Sequence, residues 1–320
     1  MMIAYGPVPS RRLGHSLGIN NIPAKVCSYD CVYCQLGSTS VREHKPRQFY
    51  TPQKIYSKVL NKIRKAEKYQ EPIDYLTFVS DGEPTLDLRL GETITLLKSI
   101  GIKVGVISNG SLLWASSVRQ NLLKADWVSL KIDVFQEKAW HQINCPHEDL
   151  RWRTVVEGML TFANRYSGTL ATETMLVQGG NTDEVQIRHV RDFIGLLSPA
   201  KAYLAIPTRP PACSWVRAPE EQTLHLAYQI FKKRLPDVEL LAADEGNAFA
   251  FTGNVEDDLM SITAVHPMRE EAVKDLLRRA GARWDVIQKM IDEGNLVELP
   301  YKGTRFYIRR HTISASASSQ

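Results

Sequence analysis

At 320 residues, 43% hydrophobic and 23% charged, the chain has enough apolar material for one large domain plus a small one, and too much to stay disordered. No apolar run reaches membrane-spanning length, and the opening MMIAYGPVPSRR lacks a basic-then-apolar leader, so a cytoplasmic protein with no membrane partner is expected. The net charge of +5 is mild, with six Lys/Arg against two acids in the first fifty residues; it permits nucleic-acid contact without requiring it.

Helical and strand periodicity then predicts elements in chain order. A strand at 16–19 precedes a cysteine-rich loop. Thr51-Pro52 opens a helix, with Pro in the first turn where its missing N–H costs nothing. Ile55, Val59, Leu60 and Ile63 give that helix its apolar face. Strands follow at 73–79, 103–108, 127–134, 169–177 and 202–206. Helices alternate with them at 88–100, at a short segment ending 120–125, and at 151–166, 184–197 and 220–235. Regular βα alternation implies a parallel sheet with right-handed crossovers. The predicted fold class is α/β, a partial, TIM-like (βα)6 barrel. Its ligands would meet the C-terminal ends of the strands. After a looser stretch at 240–254 come helices at 259–265, 269–279 and 283–293, then strands at 296–300 and 305–310 around a Lys302-Gly303 turn. Three short helices and a hairpin form a winged-helix pattern. The expected domains are a barrel over 1–253, a winged helix over 254–310 and a disordered low-complexity tail over 311–320. If the residues from about 255 onward recognise substrate, a chain ending near Asn254 is expected to fold and bind the cluster; if they only cover apolar barrel surface, it is expected to be insoluble or strongly destabilised.

The loop holds Cys27, Cys31 and Cys34, spaced Cys-x3-Cys-x2-Cys. Three thiolates at this spacing can wrap one cubane [4Fe–4S] cluster and leave its fourth iron open to a small molecule. Zinc is the alternative, and it needs a fourth ligand from Cys145, Cys213 or a histidine. Structural disulfides fit poorly with five cysteines and no sign of secretion.

With an aromatic, Tyr33, just before the last Cys, the motif resembles the signature of the radical S-adenosylmethionine (SAM) superfamily. Gly82-Glu83-Pro84-Thr85 after the second strand resembles that superfamily's Gly-Gly-Glu-Pro motif, with Asp81 in place of the first Gly. Ser108-Asn109-Gly110 resembles its Thr-Asn-Gly. Both segments also make plain turns. The resemblance implies that Cys27, Cys31 and Cys34 ligate the cluster. It implies that Gly82, Glu83 and Pro84 gather the SAM amino group, Ser108 and Asn109 meet the ribose, and Tyr33 packs near the adenine. Ser129, Lys131 and Asp133 share one strand face. Lys131 is the candidate for the SAM carboxylate, and a Lys131–Asp133 surface pair is the competing reading. Glu173 and Arg209 are weaker candidates for substrate or SAM contacts. No residue is assigned a catalytic role of its own. The implied chemistry is reductive cleavage of SAM to a 5′-deoxyadenosyl radical, with an electron donor such as flavodoxin or ferredoxin.

The segment Pro9-Ser10-Arg11-Arg12-Leu13-Gly14, with the cysteine loop, resembles a subgroup grouped with wybutosine-synthesis enzymes of tRNA. The hairpin strand is read with Phe306 and Ile308 facing the helices, and Arg305, Tyr307 and Arg309 facing out, which suits a nucleic-acid backbone. The last helix carries Asp285, Asp292 and Glu293 against Lys289, which disfavours duplex DNA. A macromolecular substrate is therefore expected, RNA ahead of protein. The remaining alternative is an iron–sulfur redox sensor without turnover, which would have no need of a SAM site.

Overall fold

The computed structural model describes residues 3–242 and 246–310; the tail reading at 311–320 lies outside the described residues. Eight strands form one curled sheet in chain order. They are β1 (Ala4–Ser10), β2 (Gly14–Ile19), β3 (Tyr75–Phe78), β4 (Lys103–Ser108), β5 (Trp127–Lys131), β6 (Thr169–Met175), β7 (Lys201–Ala205) and β8 (Val238–Leu241). Strands β2 to β8 run parallel, while β1 pairs antiparallel with β2. The six expected strands are all present. The antiparallel edge β1 and the seventh parallel strand β8 are additions, and β8 begins at Val238, after the expected helix, and runs into the stretch from 240 that periodicity read as loose. No helix follows β8 before Val255 among the described residues, so the strand–helix spacing that marked the other strands is missing.

Helices α1 (Pro52–Lys68), α2 (Leu90–Lys98), α3 (Ser116–Leu122), α4 (Glu137–Ile143), α5 (Trp152–Ala163), α6 (Glu184–Leu197) and α7 (Glu221–Lys232) connect these strands. Thr51 caps α1 as expected, its Oγ1 accepting from Lys54 N–H at 3.3 Å. The buried Ile55, Val59 and Ile63 join the barrel core. Helix α4 was not predicted, although Ala139, Trp140 and Ile143 bury one helical face.

Beyond the barrel lie α8 (Val255–Ile262), β9 (Met268–Arg269), α9 (Glu270–Ala280), α10 (Asp285–Asp292), β10 (Leu296–Tyr301) and β11 (Thr304–Arg309). The three strands form a separate sheet with β11 in the centre. The turn between β10 and β11 uses left-handed Lys302 and Gly303, as a two-residue hairpin turn requires. The core of this region, with Leu259, Ile262, Val273, Leu276, Ile287 and Met290, also takes in Tyr5 and Val8 of β1. Gly18 makes that possible, because a Cβ there would sit 2.0 Å from the Tyr5 ring. Helix α8 is tied to α1 by a buried ion pair, Lys62 Nζ to Asp258 Oδ1 at 2.8 Å, with Thr252 Oγ1 accepting from the same ammonium at 2.8 Å.

One expected facing is reversed. Tyr307 is fully buried in the C-terminal core, edge-on to Trp284, and Phe306 is buried as well. Both faces of β11 are covered, one by helices and the other at the barrel mouth, where Phe306 lines a cavity. Arg305 is exposed, but its Nε forms an ion pair with Glu270 Oε2 at 2.9 Å, which offsets one of the two charges assigned to the hairpin.

Candidate functional site

The cysteine loop crosses the C-terminal ends of the strands and is pinned from three sides. Val26 and Cys27 pair with Val41 and Arg42 in a short parallel ladder. Asp30 N–H donates to Cys145 O at 3.1 Å and Val32 N–H to Ile143 O at 3.0 Å, which fixes the loop to the end of α4. On the third side, Lys25 N–H donates to Asp81 O at 2.7 Å and Glu83 N–H to Val26 O at 3.2 Å. A Cβ on Gly82 would lie 1.8 Å from Val26 O, so only glycine lets the two loops meet.

Glu83 is 2% exposed, and its carboxylate is the hub of the neighbouring loops. Its Oε1 accepts from Thr85 N–H at 3.0 Å, Thr85 Oγ1 at 2.6 Å and Ser108 Oγ at 2.7 Å, while Oε2 accepts from Asn109 N–H at 2.8 Å. Burial pushes the carboxyl pKa up, opposed by these donors. Oε2, with one bond, retains acceptor capacity for a cation. Asn109 turns its amide toward the cysteines, donating to Ser28 Oγ at 2.9 Å and lying 3.8 Å from Cys27 Sγ.

Lys131 points into the barrel and donates to Glu173 Oε1 at 2.8 Å, with its ammonium 5.0 Å from the centre of the Tyr33 ring. Arg12 holds the other Glu173 oxygen. Burial alone would raise the Glu173 pKa, yet Arg12 and Lys131 bring it down to about 2. Burial opposes the Lys131 charge, and Glu173 with Asp133 overrides it, so its pKa is raised. The Lys131–Asp133 surface pair is not what forms. Asp133 instead accepts from Tyr33 OH, from Asn144 Nδ2 at 2.7 Å and from Met175 N–H at 2.8 Å.

One cavity of about 350 Å³ is lined by Cys27, Cys31, Cys34, Tyr33, Gly82, Glu83, Ser108, Asn109 and Lys131, with Glu173 and Arg209 on the same wall. That volume is in the range of small-molecule sites. Pro84 is the exception. It is buried beside the cavity, starting a short 3-10 turn whose carbonyl accepts from Asn21 Nδ2 at 3.0 Å. Arg209 closes the rim by donating to Gln35 Oε1 at 2.8 Å, and its Nη2 lies 2.9 Å from His266 Nε2. The C-terminal region thus reaches the residue after Cys34.

The sequence reading missed Asn144, whose Nδ2 lies 3.5 Å from Cys31 Sγ. The signal was the helical spacing of Ala139, Trp140 and Ile143, which places Asn144 at the end of α4. It also missed Arg12 as the partner of Glu173, which no local pattern reveals.

The donor set suits a cluster better than one ion. Among the described residues, the sole His/Cys/Asp/Glu set with ligand atoms all within 4.8 Å of one another is His44, His147 and Asp149. The three cysteine sulfurs are therefore more spread than the roughly 3.8 Å separation that a tetrahedral zinc with 2.3 Å bonds imposes. Burial, with Asp133 beside it, pushes the Cys31 thiol up to about 12, and burial with Glu83 raises Cys27 well above its ordinary value. Such thiols give up their protons to a metal rather than to water.

Residues 21–192, more than half of the chain, match the family model described as the Radical SAM superfamily. The chain belongs to the radical SAM superfamily. Its cofactors are accordingly a [4Fe–4S] cluster and SAM, and it is an enzyme. This radical SAM protein is 45% identical over 311 residues to a UPF0026 protein of Methanocaldococcus jannaschii, covering 97% of this chain and 96% of the relative. In fold it resembles a solved structure of TYW1 with a lysine-pyruvate adduct bound, with a TM-score of 0.55, 15% identity, and coverage of 70% of this chain and 76% of that one. It also resembles Streptococcus suis SuiB bound to SAM, with a TM-score of 0.52, 13% identity, and coverage of 70% and 49%. No described helix is long and apolar enough to cross a membrane.

Proposed function

We propose that Cys27, Cys31 and Cys34 hold the [4Fe–4S] cluster, and that SAM lies between it and the wall formed by Tyr33, Gly82, Glu83, Ser108, Asn109 and Lys131. The observation that carries this reading is the convergence of both sets of residues on one cavity. With cluster and SAM bound, the site supplies one-electron cleavage of a carbon–sulfur bond and a 5′-deoxyadenosyl radical. The chain's own part is positioning and exclusion of water. Glu83 Oε2 accepts from an ammonium. Lys131, held cationic by Glu173, faces a carboxylate. Asn109 and Asn144 aim amide N–H groups at Cys27 and Cys31. A flavodoxin- or ferredoxin-type protein supplies the electron.

Two expectations test these assignments. Glu83→Ala should weaken SAM binding about tenfold or more while the cluster absorbance remains, because the carboxylate sits in a loop separate from the cysteines. Equilibrium dialysis with labelled SAM checks this, and unchanged affinity would reduce the segment to a turn. Asn144→Ala should lower the cluster's reduction potential, because an N–H···S contact favours the more negative, reduced state. A neutral hydrogen bond contributes about 1 kcal/mol, equivalent to about 40 mV for a one-electron couple. EPR-monitored redox titration reads the shift, and an unmoved potential leaves Asn144 with a packing role alone.

The substrate reading is a macromolecule, RNA before protein. It is supported by the fold-level likeness to TYW1. It is also supported by the cavity wall, which among the described residues carries Arg11, Arg12, Lys131, Arg209 and Arg269 against Glu83 and Glu173, a balance suited to phosphates. The paired Arg305 and the buried Tyr307 leave Arg309 as the hairpin's remaining candidate contact. Anaerobic turnover with cell RNA and, separately, proteome fractions, followed by mass spectrometry, tests it. A modification confined to protein would overturn the RNA reading. SAM cleavage with no fraction-dependent product would overturn the macromolecular one.

A further inference from the structure

Outside the cavity, His44, His147 and Asp149 come together from loops a hundred residues apart in sequence. The side chains of His44 and His147 are 14% and 19% exposed, and that of Asp149 is 58% exposed. His44 Nε2 lies 3.5 Å from Asp149 Oδ2, and His147 Nδ1 lies 3.9 Å from the same oxygen. The two rings are 4.3 Å apart at their centres. All three ligand atoms fall within 4.8 Å of one another. A tetrahedral ion with bonds of about 2.05 Å spaces its ligands at about 3.4 Å, within about half an ångström of both separations from Asp149 Oδ2.

The protonation pattern points the same way. His147 Nδ1 accepts a hydrogen bond from Asp149 N–H at 3.2 Å, so it is the unprotonated nitrogen of that ring, and a bound ion would take over its lone pair from this long bond. His44 Nδ1 is buried with no hydrogen-bond partner, leaving Nε2, toward Asp149, as that ring's polar contact. An unprotonated imidazole nitrogen and a carboxylate oxygen 3.9 Å apart cannot pair directly, and a cation between them would serve both. Two imidazoles and one carboxylate with an open, solvent-facing position are a donor set for zinc and its neighbours, not for calcium or magnesium, which take oxygen ligands.

We propose that His44, His147 and Asp149 bind one divalent ion of the zinc class, separate from the cluster, and that this ion clasps the cysteine loop. Both ligand-bearing segments already touch that loop. Glu43 N–H, next to His44, donates to Cys27 O at 2.9 Å, and His147 N–H donates to Ser28 O at 2.9 Å. Tyr29 also forms a bridge with Pro146. An ion joining the two segments closes a long loop of chain whose two ends both rest on the cysteine loop, the arrangement in which a metal clip restricts the chain most.

The test uses the cluster-loaded protein, whose cysteines are engaged, equilibrated with zinc chloride and dialysed. Elemental analysis should show one zinc per chain beside the iron. Zinc-edge X-ray absorption should show only nitrogen and oxygen neighbours at about 2.0–2.1 Å. The double change His44→Ala/His147→Ala should lose the zinc and keep the iron. Asp149→Asn alters an exposed side chain, so the fold is safe, and it should weaken zinc about tenfold or more. Absence of stoichiometric zinc, or zinc undiminished in these variants, would overturn the proposal. Sulfur neighbours at about 2.3 Å would also overturn it, and would count separately against the cysteines being occupied by the cluster.

Discussion

Cys27→Ala, Cys31→Ala and Cys34→Ala are each expected to abolish both the iron–sulfur absorbance and the reductive cleavage of SAM, a loss of activity to background rather than a reduction. A cluster with three protein ligands has none to spare. The fold should survive, since all three side chains line the cavity rather than the packed core and the loop is pinned by backbone bonds rather than by the sulfurs. Iron analysis after anaerobic reconstitution and product analysis with dithionite check this. A variant that keeps four irons and cleaves SAM would mean that the cluster is held elsewhere. Stoichiometric zinc and no iron in the unaltered protein would mean that the site is a zinc site.

Ending the chain at Asn254 is expected to give an insoluble protein, or one with a melting temperature lower by roughly 10–20 °C. The sequence pattern of a separate C-terminal domain argues for independence, but the packing argues against it. Tyr5 and Val8 of β1 and Phe249 are 1%, 9% and 2% exposed because the C-terminal helices cover them. Uncovering three such side chains costs about 5 kcal/mol, against a total stability of about 5–15 kcal/mol. In a protein of this size each kcal/mol is worth about 2–4 °C. Lys62 also loses Asp258, its partner in α8. The cavity loses part of its wall as well, since Val265, His266, Pro267, Met268 and Phe306 line it. Thermal unfolding of the shortened chain decides the matter. A soluble 1–254 protein with the melting point of the full chain would show the C-terminal elements to be autonomous.

The features legible in the sequence are those set within a few residues. The cysteine spacing, Gly82-Glu83-Pro84 and Ser108-Asn109 are each contained in one loop, and the six barrel strands alternate strongly enough to be read one by one. Thr51-Pro52 announced α1 because a cap and its helix are neighbours. Some elements escaped. Strand β8 and helix α4 are no shorter than β3 and α3, which were read, but each falls where the regular strand–helix alternation breaks: α4 is a second helix between β5 and β6, and the next described helix after β8 begins only at Val255.

What only the tertiary structure decided is which distant groups face each other. Lys131 had Asp133 two residues away on the same strand face, yet it pairs with Glu173 on the adjacent strand, where the β5–β6 register sets the two side by side. Asp133 is instead held by Tyr33 and Asn144, from the cysteine loop and the end of α4. Tyr307 lies inside although strict alternation put it outside, because alternation records one buried face and β11 has two covered faces. Sequence period reports how a segment is oriented against whatever covers it. It carries no information on how many surfaces cover it, or on which residue a hundred positions away supplies the opposing charge, and both depend on how the sheet curls and what closes its mouth.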